Sequence, residues 1–175
     1  LTDFPAIDRL GATIFERWGK LDILIANAGL LGTLTPLSHM EPKDWDKTLA
    51  VNVTANYRLI RSLEPLLKRS DAGRAVFVTS GAAQKCKPYW GGYSVTKAAL
   101  DAMMKTWAAE TEKTPIRVNS VSPGPTRTAM RKKAMPGEDP TTLTKPAELV
   151  SLFIQLALSS CERHGEIVEY QKVKA

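Results

Sequence analysis

Cysteine and histidine are scarce in this chain of 175 residues, which contains two of each. Cys86 and Cys161 lie far apart and match neither a zinc cluster nor a disulfide framework. His39 and His164 add no metal-ligand spacing, so we expect both on the surface or in loops, and we predict no metal site. A reducing, cytoplasmic environment is the default expectation for this cysteine usage.

Long apolar runs are also lacking. No stretch approaches the ~20 consecutive apolar residues that a membrane-spanning helix needs. The N-terminus carries no basic segment followed by an apolar one, which is the pattern of a secretion leader. We therefore expect neither secretion nor a membrane partner.

Aromatic residues make up only 7% of the chain, and their scarcity bears on its net charge of +6. A basic protein can bind nucleic acid, but the densest basic cluster is short and has no aromatic residues for base stacking. That cluster consists of Arg127, Arg131, Lys132 and Lys133. We favour a solvated basic surface and expect no nucleic-acid partner. The alternative is a positive field that favours an anionic cofactor or substrate.

The apolar periodicity alternates between helix and strand along the chain. A first helix, capped by Thr2 or Asp3 and ended by Gly19, precedes an apolar run at 21–26 that is typical of a strand buried on both faces. Further helices are predicted at about 42–68, 92–112 and 146–158, further strands at 75–79, 116–121 and 166–170, and irregular segments at 27–41 and 123–144. This order predicts an α/β fold with a doubly wound, mostly parallel sheet, and a single domain over residues 1–175.

Tyr93 and Lys97 lie four residues apart at the start of a predicted helix, so their side chains share one face. A phenol with a pKa near ~10 is a poor proton donor or acceptor at neutral pH. A nearby ammonium group stabilises the phenolate and lowers that pKa toward the working range. The pair alone is weak support for catalysis, because the same spacing is common on amphipathic helices.

Small or polar residues follow three of the predicted strands, and functional groups collect at the carboxyl ends of parallel strands. Ser80 follows the second strand and could donate a hydrogen bond to a substrate oxygen beside Tyr93. Asn27-Ala28-Gly29 follows the first strand, and Pro123-Gly124, with Thr126 and Thr128 beyond, follows the third. Each of these residues could also be an ordinary turn residue.

Asn52 lies inside a long predicted helix, between two valines. An asparagine lowers helix stability at such a position and needs hydrogen-bond partners if it is buried. It could satisfy a local backbone group, or it could anchor a water near Lys97. The sequence leaves both options open.

Together these elements resemble the short-chain dehydrogenase/reductase family. The resemblance rests on the order and spacing of Asn27-Ala28-Gly29, Asn52, Ser80, Tyr93-x-x-x-Lys97 and Pro123-Gly124-x-x-x-Thr128. It covers nearly the whole chain from Leu21 onward, and the segment from Pro123 to Pro146 is similar to a bacterial subgroup of poorly characterised oxidoreductases. The resemblance implies a Rossmann-type fold and the transfer of hydride between a nicotinamide cofactor, NAD or NADP, and a carbonyl or alcohol substrate.

The resemblance also implies roles for the residues. Tyr93 would be the general acid or base, Lys97 would lower its pKa and hold the nicotinamide ribose, and Ser80 would orient the carbonyl. Asn52 would support a chain of waters that returns protons to solvent. The implied cofactor-binding residues are Asn27, Ala28 and Gly29 on the adenosine side, Pro123, Gly124, Thr126 and Thr128 beside the nicotinamide, and Tyr93 and Lys97.

One element of the family pattern is missing, namely the Gly-x-x-x-Gly-x-Gly turn that receives the pyrophosphate at a helix N-terminus. Leu1-Thr2-Asp3 resembles the tail of the family's third strand, so about three strands and two helices of the full fold are expected to be absent. The apolar strand at 21–26 would then have an exposed edge. We expect the chain alone to bind nicotinamide cofactor weakly or not at all, and the choice between NAD and NADP is left undetermined.

Two other interpretations are open. The chain could be a catalytically incompetent remnant that acts as a binding or oligomerisation module, although a scaffold has no need of Ser80, Tyr93 and Lys97 together. It could also be a sugar-nucleotide epimerase or dehydratase, whose relatives use Tyr-x-x-x-Lys, but the short segment after Thr128 leaves little room for a nucleotide-sugar domain. The family resemblance further implies a homodimer or homotetramer that forms through the two long helices.

The substrate pocket is expected to be lined by residues 84–90 and 127–144. Tyr89 and Trp90 offer apolar surface there, and Met130 and Met135 would suit an adaptable lid. None of these side chains identifies a substrate.

Overall fold

The computed structural model describes residues 1–171 and places helices on both faces of one parallel sheet. The strands, in their order across the sheet, are β1 (Ile23–Ala26), β2 (Arg74–Val78), β3 (Arg117–Ser122) and β4 (Ile167–Glu169). The helices are α1 (Phe4–Trp18), α2 (Pro42–Leu49), α3 (Ala55–Leu67), α4 (Ala82–Lys85), α5 (Gly91–Glu110), α6 (Ala129–Ala134) and α7 (Val150–Ala157). The predicted α/β fold with a doubly wound parallel sheet is confirmed.

The larger part of the core lies between the sheet and two long helices. Leucines of α3 pack with Leu100, Met104 and Trp107 of α5 against the strands, and the rings of Phe77 and Trp107 meet edge to face at 6.0 Å. Fully burying a side chain of this size contributes about 1.5–3 kcal/mol. The other face of the sheet packs against α7 through Leu156. This packing holds α5 against the sheet and places its second turn, with Lys97, beside the end of β2 at Val78, where the candidate site lies.

The long helix predicted at 42–68 is interrupted by a wider π turn at Ala50–Thr54. The amide nitrogen of Asn56 donates to the backbone carbonyl of Asn52 at 2.8 Å, which gives that carbonyl a partner within the turn. Asn52 itself is completely buried. Turns of this kind are frequent at functional sites.

Strand β1 is buried on one face only. Leu24 and Ala26 lie in the core, whereas Ile23 and Ile25 are 45% and 47% exposed. The prediction of a strand buried on both faces is therefore wrong for the described chain, in which β1 forms one edge of the sheet and pairs with β2 alone. The expected exposed apolar edge is present.

The segment predicted to be irregular at 123–144 contains more structure than its proline content suggests. The hydroxyl of Thr128 accepts from the backbone N–H of Arg131 at 3.1 Å and thereby caps the short helix α6. A turn of 3₁₀ helix follows at Pro140–Thr142. Other 3₁₀ turns occur at Leu37–His39, in the segment predicted as a loop, and at Pro146–Leu149, before α7. Across residues 1–171, no helix combines the length and apolarity that crossing a membrane requires.

Several side chains fasten the loop that connects α7 to β4, among them His164 and Arg74. His164 accepts from the backbone N–H of Val118 through Nδ1 at 3.1 Å, and its Nε2 contacts the carbonyl of Ala108 at 2.7 Å. Arg74, which is 4% exposed, donates from its guanidinium to four backbone carbonyls, at Gly73, Pro115, Leu158 and Ser159. Burial lowers the pKa of Arg74. Arg74 thus holds the loop through hydrogen bonds to neutral carbonyls.

Replacing Arg74 by lysine should destabilise the fold by about 2 kcal/mol, because an ammonium cannot reproduce the planar set of donors and leaves buried carbonyls unpaired. Urea unfolding followed by circular dichroism measures this loss. Arg117→Lys is the matched control, since Arg117 donates to only two carbonyls and is half-buried. An equal loss in both variants would contradict the role assigned to Arg74.

Candidate active site

A cavity of about 990 Å³ opens at the carboxyl ends of the strands. Its wall includes nearly all of the residues that the sequence singled out, which are Asn27, Ala28, Gly29, Ser80, Tyr93, Lys97, Pro123, Gly124, Thr126 and Thr128. These residues come from three strand ends and one helix, and the parallel sheet brings them together because the carboxyl ends of its strands share one edge. Asn52 is the exception, since it lies behind the wall.

Tyr93 lies in the first turn of α5 and is 9% exposed. The start of this helix packs tightly beneath the loop after β1, because a Cβ atom at Gly92 would lie 2.5 Å from the Cε of Met40. The ring of Trp90 lies edge to face with the phenol at 6.1 Å. Burial raises the pKa of Tyr93, and a hydrogen bond with the side chain of Ser80 opposes this rise.

Lys97 lies one turn further along α5 and is 3% exposed. Its ammonium donates to the carbonyl of Val78 at 2.7 Å and lies 5.6 Å from the centre of the Tyr93 ring. Burial lowers the pKa of Lys97 to about 8, and the carboxylate of Asp101 opposes this change. The buried lysine therefore releases its proton far more readily than a lysine in water.

The pKa of Tyr93 is raised, whereas the sequence led us to expect that Lys97 lowers it. Burial of the phenol is the larger influence, and the ammonium of Lys97 faces the ring while it donates to Val78. At neutral pH the phenol is consequently protonated. In this state Tyr93 can donate a proton to an oxygen atom in the cavity.

Asn52 supports the site from behind. Its Oδ1 accepts from the backbone N–H of Leu30 at 2.7 Å, and its Nδ2 donates to the carbonyl of Leu30 at 2.8 Å and to the hydroxyl of Thr96 at 3.0 Å. Asn52 therefore bonds a backbone group, but that group belongs to Leu30, 22 residues away, and not to a local residue as one of the two options expected. A Cβ atom at Gly29 would lie 3.4 Å from both Asn52 Oδ1 and Lys97 Nζ, so the turn after β1 sits directly against both side chains.

The sequence interpretation missed two residues beside these groups. Thr96 links the site internally, since its hydroxyl donates to the carbonyl of Tyr93 at 2.8 Å while it accepts from Asn52. Asp101, which is 8% exposed, follows Lys97 by one helical turn. Its spacing of four residues from Lys97 is a signal that could have revealed it, whereas nothing in the sequence distinguishes Thr96 from a surface threonine.

The segments expected to line a substrate pocket do so in part. Trp90 and Met130 lie on the wall of the 990 Å³ cavity. Tyr89 is 61% exposed and lies outside that wall, and Met135 instead lines a neighbouring cavity of about 410 Å³. Residues 1–171 contain no group of three or more histidine, cysteine, aspartate or glutamate side chains that could hold a metal ion.

The lowered pKa of Lys97 predicts that stability rises with pH. The unfolded chain retains this proton up to a pKa near 10.5, whereas the folded chain releases it near 8, so the unfolded state binds more protons between these values. The free energy of unfolding, relative to that of a Lys97→Met variant, should therefore increase by about 2 kcal/mol between about pH 7.5 and about pH 9.5. Urea unfolding of both proteins at the two pH values tests this, and a constant difference would contradict it.

Comparison with known proteins identifies relatives by sequence. The sequence model of the family described as short chain dehydrogenase matches residues 1–139. Uncharacterized oxidoreductase YciK of Escherichia coli K12 is 40% identical over 148 residues, which cover 85% of this chain and 58% of YciK. Uncharacterized NAD-dependent oxidoreductase MT0715 of Mycobacterium tuberculosis is 36% identical over 124 residues, which cover 70% of this chain and 45% of that protein. The chain thus spans about half the length of these relatives.

A solved structure extends the likeness to three dimensions. A short chain dehydrogenase of Escherichia coli CFT073 in complex with NADPH superposes with a TM-score of 0.91 at 37% identity, over 97% of this chain and 70% of that protein. The match of the family model over most of the chain agrees with the convergence of the strand-end residues on one cavity. The chain belongs to the short-chain dehydrogenase/reductase family of oxidoreductases.

Proposed function

We propose that this chain is the catalytic part of an NAD(P)-dependent oxidoreductase that interconverts a carbonyl compound and an alcohol. One observation carries the proposal. Ser80 follows β2, Tyr93 and Lys97 lie one turn apart on α5, and all three line a single cavity in which the phenol is protonated at neutral pH. A module used only for binding has no need of this combination.

The residues on the cavity wall fit the nicotinamide half of the cofactor. Gly124 has a positive φ of 67° with no atom near its missing side chain, and it leaves open space beside Thr126 and Thr128. Lys97 would hold the ribose hydroxyls, and Asn27, Ala28 and Gly29 would border the adenosine side. The bound cofactor supplies or accepts the hydride. Relatives include a protein named as NAD-dependent and one solved with NADPH, so the choice between the two stays open.

The chain's own residues place the substrate and move a proton. In carbonyl reduction, Tyr93 Oη donates its proton to the carbonyl oxygen, which carries negative charge as the reaction proceeds. Ser80 Oγ donates a hydrogen bond to the same oxygen and orients it. In alcohol oxidation, the deprotonated form of Tyr93 would accept the proton instead. The ammonium of Lys97 lies 5.6 Å from the centre of the phenol ring and would favour its deprotonated form.

Asn52, which lies behind the cavity wall, would contribute to this chemistry. Asn52 holds the turn after β1 against Lys97, and this turn would define the cofactor's path. A chain of waters past Asn52 would return protons to solvent. We also propose that the chain pairs into a homodimer or homotetramer through its two long helices, where Tyr57 of α3 and Val95 of α5 are 50% and 42% exposed.

A cofactor-coupled screen of carbonyl compounds tests the proposal. It uses a longer protein that contains this chain together with a nucleotide-binding portion, and follows the absorbance of NADH and NADPH. Oxidation of either cofactor that depends on both the carbonyl compound and Tyr93 is the expected result. Absence of turnover across aliphatic, aromatic and cyclic ketones, aldehydes and keto acids would overturn it.

A further inference from the structure

Part of the wall of the 990 Å³ cavity has no task in the proposed catalysis or cofactor binding. The side chains of this part are mostly apolar and include Met130, Ala134, Leu149 and Phe153. Within the described chain, the cavity wall carries two cationic side chains, Lys97 and Arg131, and no carboxylate. Whether the cavity attracts an anion depends on whether these two cations are already paired with other groups.

Lys97 offers little to a substrate anion. Its ammonium already donates to the carbonyl of Val78 at 2.7 Å, and only 3% of the residue is exposed. In the proposed function it also holds the nicotinamide ribose. The charge available for substrate recognition is therefore that of Arg131.

Arg131 is neutralised by a residue of its own segment. Its Nε and Nη2 each donate to a different carboxylate oxygen of Glu138, both at 2.6 Å, so the two side chains form a bidentate ion pair. The two side chains are 23% and 25% exposed. The hydrogen bonds of the pair raise the pKa of Arg131 and lower the pKa of Glu138, so both stay charged at neutral pH.

The segment that carries this ion pair is fixed at its base. Thr126 and Thr144 form a bridge between extended chains, and the backbone N–H of Arg127 donates to the carbonyl of Thr144 at 2.8 Å. The hydroxyl of Thr128 caps α6 at the backbone N–H of Arg131. Arg131 and Glu138 are therefore held together beside the cavity as a unit without net charge.

We infer that the substrate is an uncharged carbonyl compound or alcohol with an apolar body, and that the Arg131–Glu138 ion pair disfavours analogues that carry a carboxylate. This inference rests on the proposed function and adds the substrate class to it. The transfer of hydrocarbon surface from water to an apolar wall is favourable and would stabilise the bound substrate. A carboxylate in the same place would lose its hydration, find no free cation and lie near the carboxylate of Glu138.

Acetophenone and 4-acetylbenzoate are suitable probes, because they differ by one carboxylate. Saturation-transfer NMR on the chain of 175 residues measures their binding without any turnover. Acetophenone should bind at least about tenfold more tightly than 4-acetylbenzoate, and Ala134→Trp, which fills part of the cavity, should abolish its signal. Equal or tighter binding of the anion would overturn the inference. Failure of acetophenone to bind at all, or a signal that survives Ala134→Trp, would overturn it as well.

The ion pair is tested by Glu138→Gln, which frees the charge of Arg131. Affinity for 4-acetylbenzoate should rise about tenfold, since a guanidinium paired with a carboxylate forms strong hydrogen bonds. Glu162→Gln makes the same charge change at an exposed position and should leave the affinity unchanged. In the double variant Arg131→Gln/Glu138→Gln the gain should vanish. A gain that persists there would mean that a loosened segment, and not the freed charge, had raised the affinity.

These results are separable from the proposed function. If the probes bind with the expected selectivity but the coupled screen finds no turnover, the proposed function fails and the preference of the cavity stands. If the longer protein reduces keto acids in preference to neutral ketones, the inferred substrate class fails and the proposed function stands.

Discussion

Replacing Tyr93 by phenylalanine should lower kcat/KM at least about a thousandfold while the fold stays intact, because the change removes only the oxygen that we propose as the proton donor. The phenyl ring keeps its edge-to-face contact with Trp90 and its place under the ammonium of Lys97. The interaction of the phenol oxygen with the side chain of Ser80 is lost as well. The measurement is the cofactor-coupled rate in the longer protein, together with urea unfolding of both variants.

Tyr89→Phe is the matched control for this experiment. Tyr89 is 61% exposed and lies outside the cavity wall, so removing its hydroxyl should leave the rate unchanged. Rates close to wild type in Tyr93→Phe would rule out Tyr93 as the proton donor. A comparable loss in Tyr89→Phe would mean that the assay reports a general disturbance of the segment before α5.

Truncating Asn52 to alanine should destabilise the protein by about 3 kcal/mol, the largest loss expected for a single side chain of the site. The substitution leaves the backbone N–H and carbonyl of Leu30 without their present partners and removes one of the two partners of the Thr96 hydroxyl. The turn that contains Gly29 would lose its support against Lys97. Urea unfolding measures the loss of stability, and NMR chemical shifts of residues 27–31 report the movement of the turn.

Asn56→Ala serves as the control, since Asn56 is also buried in the same helical stretch but makes a single hydrogen bond through its side chain, to the carbonyl of Asn52. It should cost about 1 kcal/mol and leave the shifts of residues 27–31 in place. A loss for Asn52→Ala no larger than that for Asn56→Ala would show that the bonds to Leu30 contribute little.

The alternation of helices and strands could be predicted from the sequence because each element has its own apolar period. The sequence did not predict the π turn at Ala50–Thr54, since an inserted residue changes the helical period only locally. It also predicted the wrong burial for β1. A continuous apolar run describes a strand with two covered faces, and Ile23 and Ile25 are exposed in the described chain.

The positions of the candidate site residues could be predicted from the sequence, whereas their pKa values and hydrogen-bond partners could not. Strand-end residues such as Ser80 and Gly124 could be expected to meet at one edge, because parallel pairing fixes where the strands end. The pKa of Tyr93 could not, since it depends on how deeply the phenol is buried. Asn52 bonds the backbone N–H and carbonyl of Leu30, and a hydrogen bond to a distant backbone group cannot be predicted from a pattern of side chains. The Arg131–Glu138 ion pair escaped prediction because it depends on how the segment after β3 closes on itself.

The exposed isoleucines of β1 also belong to the wall of the main cavity. One strand therefore provides both the unpaired edge of the sheet and part of the surface that a ligand would touch. A ligand that covers Ile23 and Ile25 shields the apolar face that would otherwise favour contact between copies of the chain. Ligand binding at this wall and self-association of the chain are thus thermodynamically linked. A ligand that binds only the unassociated chain should stabilise it by a free energy that grows with the logarithm of the ligand concentration.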